Sequence, residues 1–169
     1  ISFINVPTSL LGMVDAAIGG KTGFNLHTLK NNIGTFYPAK LVVCDAVFLK
    51  TLPENELKSG FAEVIKHALI SDYNFWTEIK NQSFEDYNFQ EIINFSINHK
   101  LSIVEKDPKE NGLRKILNFG HTIGHALESH FLSLNKTIFH GFAVAQGMAI
   151  EAFISYKLNH ISKEKYSEI

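Results

Sequence analysis

The chain has 169 residues, of which 45% are hydrophobic and 20% charged, a composition typical of a sequence that folds around a core and not of a disordered one. Its 16 Lys and Arg residues against 17 Asp and Glu residues give a formal net charge of -1, which excludes the basic surface of a nucleic-acid or anionic-membrane binder. The single cysteine, Cys44, excludes an internal disulfide, and because the sequence shows no export or membrane-spanning signal we expect a cytoplasmic protein.

The first 50 residues have the pattern of short strands and turns. A β-branched run at 2–6 ends before Pro7, the glycine-rich segment 19–23 predicts a turn, and a second apolar run lies at 41–44. Because the chain opens at Ile1 within what has the pattern of a strand, we expect an internal fragment of a longer protein. This part of the chain is typical of the edge of an α/β domain.

From Thr51 onward the spacing of apolar residues becomes helical. Thr51 stands three residues before Glu54, which predicts a capping box at the start of the first helix. Apolar residues then recur every three or four positions and leave Glu63, Lys66 and His67 away from the centre of the apolar face. A helix therefore carries these three polar groups.

Further helices follow along the rest of the sequence. The hydrophobic spacing predicts helices at 92–106, 118–130 and about 141–158, a connection at 81–88 and a breaker cluster at 107–112. The last helix is apolar on most sides, which predicts a central, buried helix. The fold class predicted by these patterns is α/β followed by all-α.

A stripe of polar side chains recurs at spacings of three and four in the second half of the chain. If the segment is one helix, the stripe lies on one face and consists of Arg114, Asn118, His121, His125 and Glu128. Many such stripes are solvated faces built from Lys, Glu and Gln. This one combines a guanidinium, an amide and two imidazoles, and its composition favours a functional site.

Two histidines of the stripe, His121 and His125, have the i, i+4 spacing with which a helix offers two imidazoles to one metal ion. A zincin-type protease is excluded because Thr122 stands where that motif needs a glutamate. His140 and Glu63 are further candidates, since two histidines and one carboxylate are enough for a catalytic zinc site with an open position. Spacing alone leaves the ligand set open, because the chain has 8 His.

The segment from Gly19 to Thr22 has some features of a phosphate-binding loop. Asp15 stands where the Walker motif requires a glycine, and that motif is excluded. The turn still offers backbone N–H groups and an ammonium, so an anion contact and a plain hairpin turn both stay open, and 30–34 is a second candidate turn. Lys100 and Glu110 carry no signal of their own and are by default surface charges.

Five segments of the chain, taken together, resemble a known enzyme family. They are VPTSLL at 6–11, VDAAIGGKTG at 14–23, KNNIG at 30–34, AEVIK at 62–66 and LNFGHTIGH at 117–125. In this order they are similar to the 3-dehydroquinate synthase family, the shikimate-pathway members of the sugar-phosphate cyclases, and the resemblance spans nearly the whole chain. The family converts 3-deoxy-D-arabino-heptulosonate 7-phosphate to 3-dehydroquinate and phosphate with NAD and a divalent metal, usually zinc.

The resemblance implies a role for each residue that matches. The implied metal ligands are Glu63, His121 and His140. The implied catalytic and substrate-binding residues are Lys66, Lys100, Asn31, Arg114, Asn118, His125 and Glu110. The implied residues of the NAD side or the cleft are Thr8, Ser9, Asp15, Lys21, Lys30, Phe48, Leu49, Lys50 and Thr51.

The resemblance also implies the organisation of the protein. Residues 1–52 match the C-terminal part of a Rossmann-like NAD-binding domain, and residues 53–169 match an incomplete helical domain that binds metal and substrate. We expect NAD and a divalent metal, zinc or else cobalt, a small sugar phosphate as ligand, a homodimer in the full-length protein, and no nucleic-acid or membrane partner. The fragment alone is expected to be inactive, because most pyrophosphate contacts of NAD would lie outside it.

Three alternatives stay open. Cyclases that make inosose or valiolone rings share the metal set, but the presence of Lys100, Arg114 and the Lys30-Asn31 pair favours dehydroquinate synthase. Metal-dependent polyol dehydrogenases of related fold are less favoured, because Glu63 stands where they have Asp. A noncatalytic, metal-stabilised helical module would bind metal without releasing phosphate.

Overall fold

The computed structural model describes the backbone of residues 1–26 and 29–169, and the side chains outside residues 24–32. Two predicted site residues, Lys30 and Asn31, therefore have side chains outside the described part. Short strands occupy the first part of the chain and helices the rest, so the predicted fold class is confirmed.

The strands form two separate two-stranded sheets within the described residues. β1 (Ile4–Asn5) runs parallel to β4 (Leu41–Val42), which places the two apolar runs of the sequence side by side. β2 (Lys21–Leu26) forms an antiparallel hairpin with β3 (Leu29–Phe36).

The glycine-rich segment 19–23 divides between a turn and a strand. Gly19 and Gly20 have φ angles of +96° and +66°, a left-handed backbone that glycine adopts without a steric penalty. Lys21 already pairs with Phe36 as the first residue of β2, so the turn prediction is wrong for the second half of the segment. Pairing with a distant strand fixes this boundary, and local spacing does not reveal it.

Six α-helices follow in the described part of the chain. They are α1 (Glu54–Ser71), α2 (Tyr73–Asn81), α3 (Phe89–Lys106), α4 (His121–Ser133), α5 (His140–Lys157) and α6 (Lys163–Glu168). The shorter elements are a π-helical turn at Gly12–Ala16 and 3-10 helices at Ala46–Thr51, Phe84–Asp86 and Leu113–Asn118. The predicted connection and breaker cluster are confirmed on either side of α3.

Helix α1 begins without the predicted capping box. Thr51 ends a 3-10 helix, Leu52 is extended with φ −72° and ψ 130°, and Pro53 precedes the first helical residue, Glu54. Leu52 is extended because the ring of a following proline disfavours the helical conformation. The chain therefore enters α1 from Pro53, and no side chain caps the helix there.

The main core lies where α1 and α3 pack against α2 and the π-helical turn, with Met13 and Ile93 fully buried. Helix α5 packs against α1 and α4. Its outer side carries Ile150, Phe153 and Ile154, which are 41–45% exposed. The prediction that α5 is buried on most sides is therefore wrong for this outer side; in the described chain the covered faces are those toward α1, α4 and α6.

Candidate metal centre and substrate cavity

A cavity of about 730 Å³ lies between the β2–β3 hairpin and the helices. Nine predicted site residues line it: Asp15, Lys21, Lys66, Lys100, Arg114, Asn118, His121, His125 and His140. They come from the π-helical turn, β2, α1, α3, the 3-10 helix before α4, α4 itself and α5. Only the tertiary fold brings these residues together.

Glu63, His121 and His140 meet beside this cavity, one each on α1, α4 and α5. The Nε2 atoms of His121 and His140 lie 3.6 and 3.5 Å from the same carboxylate oxygen, Glu63 Oε1. Glu63 is fully buried, and both imidazoles are mostly buried. The structure therefore brings together the three residues that the resemblance assigns to a metal.

Both histidines are oriented through their other ring nitrogen. Nδ1 of His121 lies 3.2 Å from the carbonyl oxygen of Phe119, and Nδ1 of His140 lies 3.1 Å from Glu128 Oε1. An acceptor at Nδ1 favours the proton there and leaves the Nε2 lone pair for a metal. Burial lowers the pKa of His121, which also favours the neutral imidazole.

The donor set fits a divalent ion. Ligands at about 2.0–2.1 Å from a tetrahedral ion are about 3.3 Å apart, close to the 3.5 and 3.6 Å between Glu63 Oε1 and the two Nε2 atoms. Within the described residues, Glu63 Oε1 faces the Nε2 atoms of both imidazoles while Oε2 is paired with Lys66, so Oε1 is the oxygen placed to bind a metal. Two histidines and one carboxylate leave a coordination position for substrate.

Lys66 forms an ion pair with Glu63 from the next turn of α1. Burial raises the pKa of Glu63, but the charge of Lys66, together with His140 and His121, lowers it to about 2. Burial lowers the pKa of Lys66, but the negative charges of Asp15 and Glu63 raise it above its ordinary value. At neutral pH the pair is therefore a carboxylate and an ammonium.

Asp15 connects the two buried lysines of the cavity. Lys100 Nζ donates to Asp15 Oδ1 at 2.7 Å and to its backbone carbonyl at 2.6 Å, and Lys66 Nζ lies 3.8 Å from the same Oδ1. Burial raises the pKa of Asp15, but Lys66 and Lys100 hold it well below its ordinary value. The resemblance groups Asp15 with the NAD side or the cleft, and the structure places its carboxylate beside two buried lysines of the cavity.

The polar stripe of the sequence does not lie on a single helix. Leu113–Asn118 is a 3-10 helix, and Gly120, with φ +80°, separates it from α4. The predicted helix at 118–130 is therefore wrong at its start, because a left-handed residue interrupts the α-helical hydrogen-bond pattern. Arg114 and His125 nevertheless line the same cavity across this break.

Arg114 is almost fully buried in the wall of the cavity. Its Nη1 donates to the carbonyl oxygen of Pro108 at 2.8 Å, and its Nη2 donates to that of Gly19 at 2.9 Å. These bonds connect the turn before β2 to the loop after α3. Arg114 therefore supports the wall, in addition to the substrate contact predicted from the sequence.

Glu110 connects the hairpin to the 3-10 helix before α4. It forms an ion pair with Lys21, and its Oε1 accepts a hydrogen bond from Asn118 Nδ2 at 2.8 Å. Its φ angle of 60° is left-handed, which is uncommon for a residue other than glycine. The sequence alone makes Glu110 a surface charge, but the structure places it at the rim of the cavity.

Among the residues whose side chains the structure describes, the others predicted for the NAD side do not line this cavity. Thr8 is exposed, Ser9 Oγ accepts a hydrogen bond from the Gly12 N–H at 3.2 Å, and residues 48–51 end a 3-10 helix in which Leu49 packs into the core. Their contact with NAD stays a prediction.

Sequence reasoning missed two residues near the centre. Glu128 has no assigned role in the stripe, but its carboxylate supports His140. His67 is fully buried beside Asp15, with 3.8 Å between its Nε2 and Asp15 Oδ1. The signal for His67 was its position directly after Lys66, whereas no local pattern connects Glu128 to His140.

We expect His67 to make the metal-free protein less stable in acid. Burial lowers its pKa from 6.5 to about 3. The unfolded chain takes up this proton at a higher pH than the folded protein does, so the free energy of unfolding falls as pH decreases from about 6.5 to about 3. His67→Met should remove a slope of about 1.4 kcal/mol per pH unit from urea unfolding measured over this interval. Equal slopes for the two proteins would contradict this role.

None of the helices in the described part of the chain has the length and hydrophobicity needed to cross a membrane.

Two family models match the chain from end to end. Residues 1–59 match the model described as 3-dehydroquinate synthase N-terminal, and residues 60–169 match the one described as 3-dehydroquinate synthase C-terminal. The curated 3-dehydroquinate synthase of Parabacteroides distasonis is 45% identical over 172 residues, covering 100% of this chain and 49% of that protein. The chain spans about half the length of the curated relatives it matches.

Solved structures of two cyclases are similar to this chain. The 2-epi-5-epi-valiolone synthase of Streptomyces hygroscopicus subsp. jinggangensis 5008, with NAD+ and Zn2+ bound, has a TM-score of 0.89 and 27% identity over 99% of this chain and 48% of its own. A 2-deoxy-scyllo-inosose synthase complexed with carbaglucose-6-phosphate, NAD+ and Co2+ has a TM-score of 0.85 and 32% identity over 99% of this chain and 47% of its own.

Proposed function

Because this chain belongs to the 3-dehydroquinate synthase family, we propose that the full-length protein converts 3-deoxy-D-arabino-heptulosonate 7-phosphate to 3-dehydroquinate and phosphate, as a carbon-oxygen lyase of the shikimate pathway. One observation carries the proposal: an open three-ligand set lies beside buried lysines in a single cavity. A sugar phosphate offers hydroxyl groups to a metal and anionic groups to the lysines. The three ligand residues thus suit the hydroxyl groups of the substrate, and the lysines suit its anionic groups.

NAD and a divalent ion, zinc in the first place, are the proposed cofactors. Their presence in the two similar cyclases supports this pair, with Zn2+ in one and Co2+ in the other. Glu63, His121 and His140 would hold the ion, which when bound polarises substrate hydroxyl groups, while NAD accepts and later returns a hydride. The separations of 3.6 and 3.5 Å between Glu63 Oε1 and the two Nε2 atoms suit such an ion.

The chain's own cations would bind the anionic groups of the substrate. Lys66 and Lys100 face the cavity; Asp15 holds the Lys100 ammonium, and Glu63 holds that of Lys66. They would stabilise the negative charge that accumulates on the departing phosphate. Arg114 adds a third positive charge in the wall, and His125, one turn after His121, would donate a hydrogen bond to a substrate oxygen from the cavity side.

The NAD side is proposed for the first part of the chain. Residues 1–52 would form the C-terminal part of the NAD-binding domain, and residues 53–169 would belong to the metal- and substrate-binding domain. Lys21 and Glu110 close the rim between the two parts and would help to exclude water from the bound substrate. We propose a homodimer for the full-length protein.

A second candidate is another sugar-phosphate cyclase. The observation that favours it is the close structural similarity to valiolone and inosose synthases, with TM-scores of 0.89 and 0.85. The sequence favours 3-dehydroquinate synthase, because the curated relatives of that name reach identities of 45–49%.

Substrate choice tests the proposal. The full-length protein, loaded with zinc and NAD, should release phosphate from 3-deoxy-D-arabino-heptulosonate 7-phosphate and form 3-dehydroquinate, and it should leave glucose 6-phosphate unchanged. Phosphate release from glucose 6-phosphate alone would favour an inosose-type cyclase. Zinc binding without phosphate release from either compound would favour a valiolone-type cyclase or the noncatalytic module.

A further inference from the structure

Helix α4 begins at a peptide that is tightly held. Gly120 directly precedes His121, and its φ of +80° turns the chain from the 3-10 helix into α4. Its N–H donates to Glu151 Oε2 at 2.8 Å, and its carbonyl oxygen accepts from the Gly124 N–H at 2.9 Å. Both polar groups of this residue are therefore satisfied, one by α5 and one by α4 itself.

The peptide lies directly against the backbone of α5. A Cβ atom on Gly120 would be 2.7 Å from the carbonyl oxygen of Val144, and one on Gly147 would be 2.0 Å from the carbonyl oxygen of Gly120. Helix α5 also carries His140 at its first residue. The contact between Gly120 and α5 therefore links the positions of His121 and His140.

Glu151 is the charged group at this contact. It lies one turn after Gly147 on α5, and its carboxylate faces the positive N-terminal end of α4, where a negative charge is favourable. Its Oε1 is buried and has no hydrogen-bond partner among the described residues. Burial of a carboxylate oxygen without a hydrogen bond costs free energy, and the hydrogen bond that Oε2 accepts from the Gly120 N–H offsets part of this cost.

We propose that Glu151 is a positioning residue of the metal centre, which holds the Gly120 peptide so that Nε2 of His121 faces Glu63 Oε1. The inference rests on the proposed function of Glu63, His121 and His140 as metal ligands. Without the carboxylate, the buried Gly120 N–H loses its acceptor, and the first turn of α4 can shift relative to α5. A shift of the backbone next to His121 changes the distance between its Nε2 and the other two ligand atoms.

Metal affinity tests the role directly. In the full-length protein, Zn2+ alone is competed against a chromophoric chelator, and the melting temperature of the metal-free protein is recorded in parallel. Glu151→Ala should weaken zinc binding about 10- to 100-fold, the range for residues that support a metal ligand. Glu151→Gln keeps an oxygen acceptor and should restore most of the affinity. The matched control is Ser155→Ala, which removes a hydrogen bond to the Glu151 carbonyl oxygen but leaves the Gly120 contact in place.

A second variant keeps the test decisive if Glu151→Ala does not fold. Glu151→Asp retains the charge but shortens the side chain by one methylene, and it should weaken zinc binding several-fold and alter the visible spectrum of the Co2+-substituted protein. Zinc affinity within twofold of the parent in Glu151→Asp and in any folded Glu151→Ala protein would overturn the inference, even if stability falls. If His121→Ala leaves the zinc affinity unchanged, the proposed metal centre is wrong, and the inference about Glu151 is wrong with it.

Discussion

His121→Ala is expected to abolish zinc binding and phosphate release together in the full-length protein. His121 supplies one of the three ligand atoms, and its Nε2 lies 3.6 Å from Glu63 Oε1. Two remaining ligands cannot hold a catalytic ion firmly, so the loss of affinity should exceed the roughly 10- to 100-fold that loss of a supporting residue costs. Metal content after dialysis and the rate of phosphate release measure the two effects.

Two other histidines of α4 serve as comparisons. His125→Ala should keep the bound zinc and lower the rate of phosphate release, because His125 lines the cavity but lies outside the ligand trio. His130 is exposed near the end of α4, so His130→Ala should change neither the zinc content nor the rate of phosphate release. Loss of zinc from the His125 variant, with retention in the His121 variant, would contradict the assignment.

Asp15→Asn is expected to destabilise the protein strongly. The change removes the negative charge that pairs with Lys100 at 2.7 Å and lies 3.8 Å from Lys66. Removal of one partner of a fully buried ion pair costs about 3–5 kcal/mol. Because the Asp15 side chain is 21% exposed, we expect a smaller loss, of about 2–3 kcal/mol, in the free energy of unfolding measured with urea.

A double-mutant cycle separates the ion pair from general damage. Lys100→Met, which removes the positive partner, should be combined with Asp15→Asn. The double variant should lose less stability than the sum of the two single losses, by about 1 kcal/mol or more, because the second change removes a charge that the first left unpaired. Additive losses would show that the two groups do not interact.

The sequence predicts the residues of the candidate site better than their arrangement. The resemblance implies Glu63, His121 and His140 as ligands, and the structure brings these side chains together. The helical spacing also predicts α1 and α3, because their apolar faces follow a regular period. Motifs and apolar periods are local patterns, so they can be recognised in the sequence without the structure.

The features that depend on tertiary contacts could not be predicted. Gly120 interrupts the helix because its peptide fits against α5, and Glu128 supports His140 from a different helix. Asp15 joins Lys100 across 85 positions of sequence. Residues that far apart share no periodic pattern, so spacing does not reveal their contact.

Anomalous scattering at the zinc absorption edge, from crystals of the zinc-loaded full-length protein, is the most direct test of the proposed metal centre. We expect one strong peak at about 2.0–2.2 Å from a Glu63 carboxylate oxygen and from the Nε2 atoms of His121 and His140. The chain offers a competing group of donors, His125, Glu128 and His140, whose ligand atoms also lie within 4.8 Å of one another. A peak within that second group, with His121 and Glu63 remote from the ion, would show that the proposed ligand set is wrong.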